Sequence, residues 1–336
     1  MKDLLLYMKI LKSGSENAPY PIYAPYLYSD GTTLRSCNNT TYISLKPAKP
    51  IPFKGYVNIF ILEEVLNLVG EDMTVEVVPP NDDGPEILRI KSGTYKADLN
   101  LLQNLGMPEL AEPNFDKSIK LDEETVAIWK YALKYVGRES LSPLYIDKTG
   151  LCASDGYRIF VNEMPYDLEG KLSLNNKIMN FLKDQYLIMS DEKGNVNVQF
   201  MNGFAVFTTE SLDFFPSERI RDFLSVSKTN TNLLCNISLL RDSVDKISPI
   251  FHGESEHFCV FSNANKKLTI TGSSKINGIA TVEVGSMFDG EFKLTLNAKT
   301  LRIIPFDYDT YVSLERQDRL LFKNELGSTI ILMGSK

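Results

Sequence analysis

The feature that most limits what this chain can fold into is a unit that recurs along it: an amphipathic helix, then short strands joined by tight turns. The clearest copy spans 122–164. On a helical wheel, residues 122–137 place Val126, Trp129, Ala132, Leu133 and Val136 on one side. Lys130, Lys134 and Arg138, spaced by four, fall on another. Strand-type runs follow at 144–146, 151–153 and 157–164, separated by the turns Asp147-Lys-Thr-Gly150 and Ser154-Asp155-Gly156. Asp-Gly between alternating apolar runs is a strong local signal for a β-hairpin.

The spacing predicts further helices at 2–12, 61–70, 175–183, 237–247 and 298–304, each with apolar residues three and four apart. Strand-turn-strand stretches follow each of them. The helices that open alternate units begin near Lys2, Asp122 and Ile237, separated by 120 and 115 residues. Six units therefore group as three pairs, each the size of an ordinary domain. The expected domains are 1–113, 114–228 and 229–336. Linkers are expected at 105–120, with Gly106, Pro108 and Pro113, and at 226–232, which is polar and rich in Ser, Thr and Asn. The fold class is α+β, three similar domains of two helix-plus-antiparallel-sheet units each. Any α+β protein gives some helix-hairpin alternation; the near-equal separations argue for a true repeat.

A chain of 336 residues, 43% of them hydrophobic, exceeds what one core usually holds. Its sixteen Tyr and eighteen Phe favour strands over a helical bundle. No apolar run reaches the roughly 18–20 residues of a membrane helix. The amphipathic start Met1-Lys-Asp-Leu-Leu-Leu-Tyr-Met-Lys has no small-residue cleavage site after it, so no signal peptide is expected. Cys37, Cys152, Cys235 and Cys259 are far apart with no paired spacing, which suits reduced thiols and a cytoplasmic location.

Catalytic signatures are missing. The histidines, His252 and His257, lie in His-Gly-Glu-Ser-Glu-His with Glu254 and Glu256. A metal enzyme centred there is one reading, but the spacing matches no familiar metal site and a solvated loop accounts for it. Asp307 and Asp309 fit a helix-to-strand loop. No phosphate-binding glycine motif and no nucleophile elbow occurs. The expectation is a protein that is not an enzyme, with no cofactor and no metal.

The net charge of −7 argues against a surface that grips nucleic acid all over. Cations nevertheless mark five of the six helices: Lys2, Lys9 and Lys12; Lys130, Lys134 and Arg138; Lys177 and Lys183; Arg241 and Lys246; Lys299 and Arg302. Helix 61–70 carries Glu63 and Glu64 instead. Taken singly, each cation is an ordinary solvated position. If paired domains close into a ring with helices inside and sheets outside, these side chains would line one hole. A basic lining in an acidic body suits enclosure of duplex DNA through sequence-blind phosphate contacts.

Short segments strengthen that reading. Cys152-Ala-Ser-Asp-Gly-Tyr-Arg-Ile-Phe resembles the A-T-D-G-H-R-L segment of bacterial DNA sliding clamps, the beta subunit of the replicative polymerase. Leu212-Asp-Phe-Phe-Pro-Ser-Glu-Arg-Ile-Arg resembles that family's G-[KR]-F-P-D-Y-R-R-V segment. Ile276-Asn-Gly-Ile-Ala-Thr-Val-Glu-Val, Phe292-Lys-Leu-Thr-Leu-Asn-Ala-Lys-Thr-Leu and Thr329-Ile-Ile-Leu-Met are similar to segments of its third domain. The first domain matches by pattern alone. The resemblance implies a head-to-tail homodimer forming a closed ring around double-stranded DNA, and a pocket for linear peptides of DNA polymerase and the clamp loader. By position the pocket would use Ser154, Gly156, Tyr157, Arg158 and Ile159, Pro216 and Ile220, and Ile331 and Met333. Departures from the pattern bear on peptide preference: Tyr157 stands for His, Ser217-Glu218 for Asp-Tyr, and Met333-Gly-Ser-Lys for a terminus beginning Met-Pro. The opening strand of the family is expected to be missing, and such divergence suits a bacteriophage member. The rival reading is a non-catalytic β-rich structural or protein-interaction protein without DNA binding, which would need no basic lining.

Overall fold

The computed structural model describes residues 2–18, 20–69, 73–80, 84–209, 215–313, 315 and 317–334, the side chains of Lys2, Asp3 and Ser140 excepted. The expected turns at 81–84 and 316–318, the Leu212-Asp-Phe start of the late segment and the Lys2 side chain thus lie wholly or partly outside the described residues.

Helix α1 (Lys2–Leu11) leads to β1 (Tyr26–Ser29), β2 (Leu34–Cys37), β3 (Thr41–Leu45) and β4 (Gly55–Asn58). Helix α2 (Ile59–Val69) is followed by β5 (Thr74–Val78), β6 (Glu86–Ser92), β7 (Tyr95–Leu101) and a short β8 (Ile119–Lys120). Helix α3 (Glu123–Ala132) precedes β9 (Leu144–Asp147), β10 (Gly150–Ser154), β11 (Arg158–Asn162) and β12 (Leu172–Leu174). Helix α4 (Asn176–Phe181) precedes β13 (Leu187–Ser190), β14 (Val196–Phe200) and β15 (Gly203–Phe207). Then come α5 (Ser217–Lys228), β16 (Thr231–Asn236), α6 (Ile237–Ile247), β17 (Phe258–Ala264), β18 (Lys267–Ser274), β19 (Gly278–Gly285) and β20 (Phe292–Asn297). A 3-10 segment (Ala298–Ile303) introduces β21 (Asp309–Ser313), β22 (Arg319–Lys323) and β23 (Ser328–Met333).

The six expected helical segments are all present, the last in 3-10 form. Caps explain their starts. Asn58 Oδ1 accepts from the Phe60 and Ile61 amides, so α2 begins two residues before the apolar pattern suggested. Asn175 caps α4 and Asn236 caps α6 in the same way. In α6, Ile237, Leu240, Val244 and Ile247 are all buried, as their spacing requires. Helix α3 departs from expectation. It tightens into a 3-10 turn at Leu133–Tyr135. Three residues per turn rotate the buried face, so Tyr135 turns inward while Leu133 and Val136 stay half-buried. Arg138 then sits outside the helix in extended conformation, which breaks the expected ridge Lys130–Lys134–Arg138 after its second member. The linker expected at 226–232 is also displaced, since α5 runs through Lys228.

The chain divides into two compact units, Met1–Ala127 with Asp167–Leu212, and Ile128–Tyr166 with Asp213–Lys336. Neither boundary set falls at 113 or 228. The first unit holds an antiparallel sheet in the order β4-β1-β2-β3-β15-β14-β13-β8 and a three-stranded sheet β5-β6-β7. Its long sheet is joined at a seam where β3 pairs with β15, Tyr42 opposite Val206. Segment 105–118 packs Met107 and Phe115 against Cys37, Tyr42 and Phe204 of that sheet. The second unit repeats the plan, with β9-β10-β11-β23-β22-β21-β16 and a four-stranded sheet β19-β18-β17-β20. Its seam pairs β11 with β23, Ile159 opposite Ile331. The hairpin turns repeat as well. Asn38 Oδ1 accepts from the Thr40 and Thr41 amides, as Asp155 Oδ1 does from Tyr157 and Arg158.

Among the described residues no helix is long and apolar enough to cross a membrane. All four cysteines are unpaired and buried. Burial pushes the Cys37 and Cys259 thiols up to about 11 and those of Cys152 and Cys235 to about 12. The native protein at mildly alkaline pH should therefore leave an aromatic disulfide reagent uncoloured, and four thiols should react on denaturation. Rapid native reaction would mean that the strands bearing them open.

Candidate functional sites

The β10–β11 hairpin is built around Asp155. One carboxylate oxygen accepts from the Tyr157 amide at 3.0 Å and the Arg158 amide at 2.7 Å. The other accepts from Arg158 Nε at 2.6 Å. Gly156 takes φ +91°, and its amide donates to Ser154 Oγ at 3.1 Å. A left-handed residue at the turn is what glycine supplies without steric cost. The outcome is a side chain thrown outward: Tyr157 is 77% exposed. Arg158 lies back against Asp155 with its guanidinium 5.7 Å from the Tyr135 ring centre.

The end of β23 joins this hairpin. Met333 N donates to the Tyr157 carbonyl at 3.0 Å. Arg158 is opposite Leu332 and Ile159 opposite Ile331. Of the residues singled out from sequence, Gly156, Tyr157, Arg158, Pro216 and Met333 reach the surface. Ser154, Ile159, Ile220 and Ile331 are buried, so they support that surface from beneath.

Pro216 and Ile220 arrive on α5, which is tied down on the same sheet by groups the sequence reading did not assign. The Phe215 ring stacks on Tyr145 of β9 at 5.1 Å with the planes 4° apart. Arg221 donates two hydrogen bonds, each 2.8 Å, to the Asp147 carboxylate at the end of β9. Its guanidinium also lies 5.9 Å from the Tyr145 ring. Further along, buried Arg319 lies 3.9 Å from the Phe223 ring and donates to Ser227 Oγ at 2.9 Å. Lys228 pairs with Glu163 beyond β11. Burial by itself would raise the Asp147 carboxyl; hydrogen bonds from Arg221 and Thr149 outweigh it and hold the group down at about 2. The i, i+4 spacing of apolar Ile220 and Leu224 was the signal for α5; Pro216 and the polar composition hid it.

The cations expected on helices have mixed settings, and Arg138 and Lys183 lie past the ends of their helices, α4 stopping at Phe181 rather than 183. Lys9, Lys130, Lys134, Arg138, Lys183 and Lys246 are exposed. Lys12 pairs with Glu63 at 2.5 Å, and Lys177 donates to Thr40 Oγ1 at 3.4 Å. Arg241 donates to the Ile304 carbonyl, Lys299 to the Ser255 carbonyl, and Arg302 binds Asp245 at 2.8 Å. Exposed lysines on helices are free to meet a polyanion at small cost; the paired ones would first exchange partners. Among the described residues no three His, Cys, Asp or Glu side chains converge as metal ligands, so the reading of His252, Glu254 and His257 as a metal centre lacks a geometry.

No protein-family model matches the chain, and no curated protein matches it by sequence. Solved structures do match, over the whole chain. A candidate DNA polymerase III beta subunit from Eubacterium rectale aligns with a TM-score of 0.81 at 14% identity, covering 100% of this chain and 98% of that one. The DNA polymerase sliding clamp of Caulobacter crescentus aligns at 0.78 and 17% identity, covering 99% and 97%. The DNA polymerase III subunit beta of Pseudomonas aeruginosa aligns at 0.78 and 13% identity, covering 100% and 98%. The fold expected from the recurring unit and the short motifs is thus the fold the chain has.

Proposed function

We propose that this protein is a DNA sliding clamp, a non-catalytic processivity factor that encircles duplex DNA and tethers a DNA polymerase. The observation that carries the proposal is whole-chain likeness to beta-subunit structures in a protein whose helices bear exposed cations while the whole carries net charge −7. In this reading the three repeats 1–113, 114–228 and 229–336 act as domains. Two copies close head to tail in the cytoplasm, and a clamp loader opens them. Lys9, Lys12, Lys130, Lys134, Arg138, Lys177, Lys183, Arg241, Lys246, Lys299 and Arg302 face DNA. Polymerase and loader peptides lie on Tyr157, Arg158, Pro216 and Met333, over Ser154, Ile159, Ile220 and Ile331. Closure would use the edges of the small sheets. Strand β19 is one such edge, with Ile279 exposed on it, and unpaired edges are templates for pairing.

Topology supplies the test without a loader. The protein is mixed with linear duplex at low salt, the ends are ligated, and the mixture is filtered at high salt. A clamp stays with the closed circle, because salt breaks phosphate contacts and leaves the ring threaded. Cutting the circle should release it. Equal loss from circle and line would overturn the proposal and favour a protein-interaction role.

A further inference from the structure

Beside α6 lies an open cleft of about 960 Å³, lined by Arg241 and Asp245 of that helix, by His252, Glu254 and His257, and by Arg302 of the 3-10 segment. Two planar polar side chains in it are each backed by an aromatic ring. The Arg241 guanidinium lies 3.9 Å from the Phe306 ring centre and is fixed by its hydrogen bond to the Ile304 carbonyl at 3.0 Å. The His257 imidazole stacks on Phe251 at 4.7 Å with the planes 11° apart. Phe251 is buried, so only the imidazole side of that pair can meet a ligand; Phe306 is itself 61% exposed. Both acids are already engaged. Asp245 accepts from Arg302 at 2.8 Å, and Glu254 accepts from Ser274 Oγ at 2.5 Å.

We infer that this cleft binds unpaired nucleotides of single-stranded DNA, a role that rests on the clamp reading and extends it from duplex to the unpaired strand beside it. A duplex offers phosphates and hides the faces of its bases. A single strand offers both, and ring-backed planar groups are what base faces stack on. Arg241, packed against the Phe306 ring, offers its guanidinium to a base. The His257–Phe251 pair gives a second platform. Arg302 and Lys299, on exchanging Asp245 and the Ser255 carbonyl, supply cations for the connecting phosphates. Stacking of this kind is sequence-tolerant, in keeping with a protein that reads no bases.

Fluorescence anisotropy on the intact protein with a labelled oligothymidylate, and with a hairpin duplex of equal charge, tests this. Phe306→Ala and His257→Ala should each weaken oligothymidylate binding about tenfold and leave the duplex within about twofold. Neither substitution removes a lysine or arginine, so both separate stacking from electrostatics. Equal weakening on both DNAs, or none on either, would overturn the inference, as would full competition by thymidine monophosphate, which would reduce the cleft to a mononucleotide site. Retention of the same variants on ligated circles reads duplex enclosure separately.

Discussion

Replacing Gly150 by alanine is expected to cost the second unit about 3–5 kcal/mol, from a forced left-handed residue together with a backbone clash. Gly150 opens β10 at φ +133°, where only glycine is at ease. A Cβ there would stand 2.1 Å from the Asn162 carbonyl oxygen and 3.1 Å from Glu163 Cα. No rotamer relieves this, because both obstacles are backbone. The chain must push β10 away from β11, and β11 is the strand that carries the seam to β23. Asn162 is fully buried and donates to Ser328 Oγ of β23 at 3.0 Å, so the displacement would reach the second half of the sheet. A control isolates the clash. Gly194 has φ +81° with nothing within 4 Å of its would-be Cβ, so alanine there should cost only about 1 kcal/mol. Denaturant midpoints with unchanged slopes would measure both. Equal costs for the two variants would mean that the β10–β11 contact is looser than its geometry implies.

The start of α6 and the β10–β11 turn were legible because they are local. Apolar spacing places α6 to the residue, and Ser154-Asp155-Gly156 announces its own hydrogen bonds. What was not legible is long-range. The seams β3–β15 and β11–β23 pair strands roughly 160–170 residues apart, and no local pattern tells which edge meets which. Leu133 and Val136 were placed on the buried side for a related reason: a change from 3.6 to 3.0 residues per turn leaves no mark in residue types. Among the candidate pocket residues, the sequence could not separate surface from underlayer. Ile159 and Ile331 are apolar, as a peptide groove needs, but they face each other across a ladder and are consumed by the core. Ile220 and Arg221 are neighbours on α5. The structure gives them opposite fates, Ile220 buried and Arg221 joined to an acid 74 residues away.

That acid pair makes the second large prediction. Arg221→Met should cost about 2–3 kcal/mol at neutral pH, because it leaves the Asp147 carboxylate shielded from water without its main partner. The pH dependence distinguishes this from simple loss of packing. In the wild type the folded carboxyl titrates at about 2, below its ordinary value of 3.8. The unfolded chain therefore takes up the proton first as the solution is acidified. The stabilisation from this group is complete above its ordinary value and disappears as pH falls through about 2. In Arg221→Met this depression shrinks, since only the Thr149 hydrogen bonds then oppose burial. The variant should then be hurt most at neutral pH and recover part of its deficit on acidification toward about pH 2. Adding Asp147→Asn removes the stranded charge and should restore most of the loss. If the pair also positions the start of α5, Arg221→Met should weaken binding of an apolar-anchored linear peptide about tenfold, roughly 1.4 kcal/mol, while Asp147→Asn/Arg221→Met recovers stability without recovering affinity. A double variant that regains both would leave the pair a structural tie with no part in shaping the peptide surface. A single variant whose deficit is flat with pH would mean that Asp147 reaches water, and that the two 2.8 Å hydrogen bonds hold α5 less firmly than their geometry suggests.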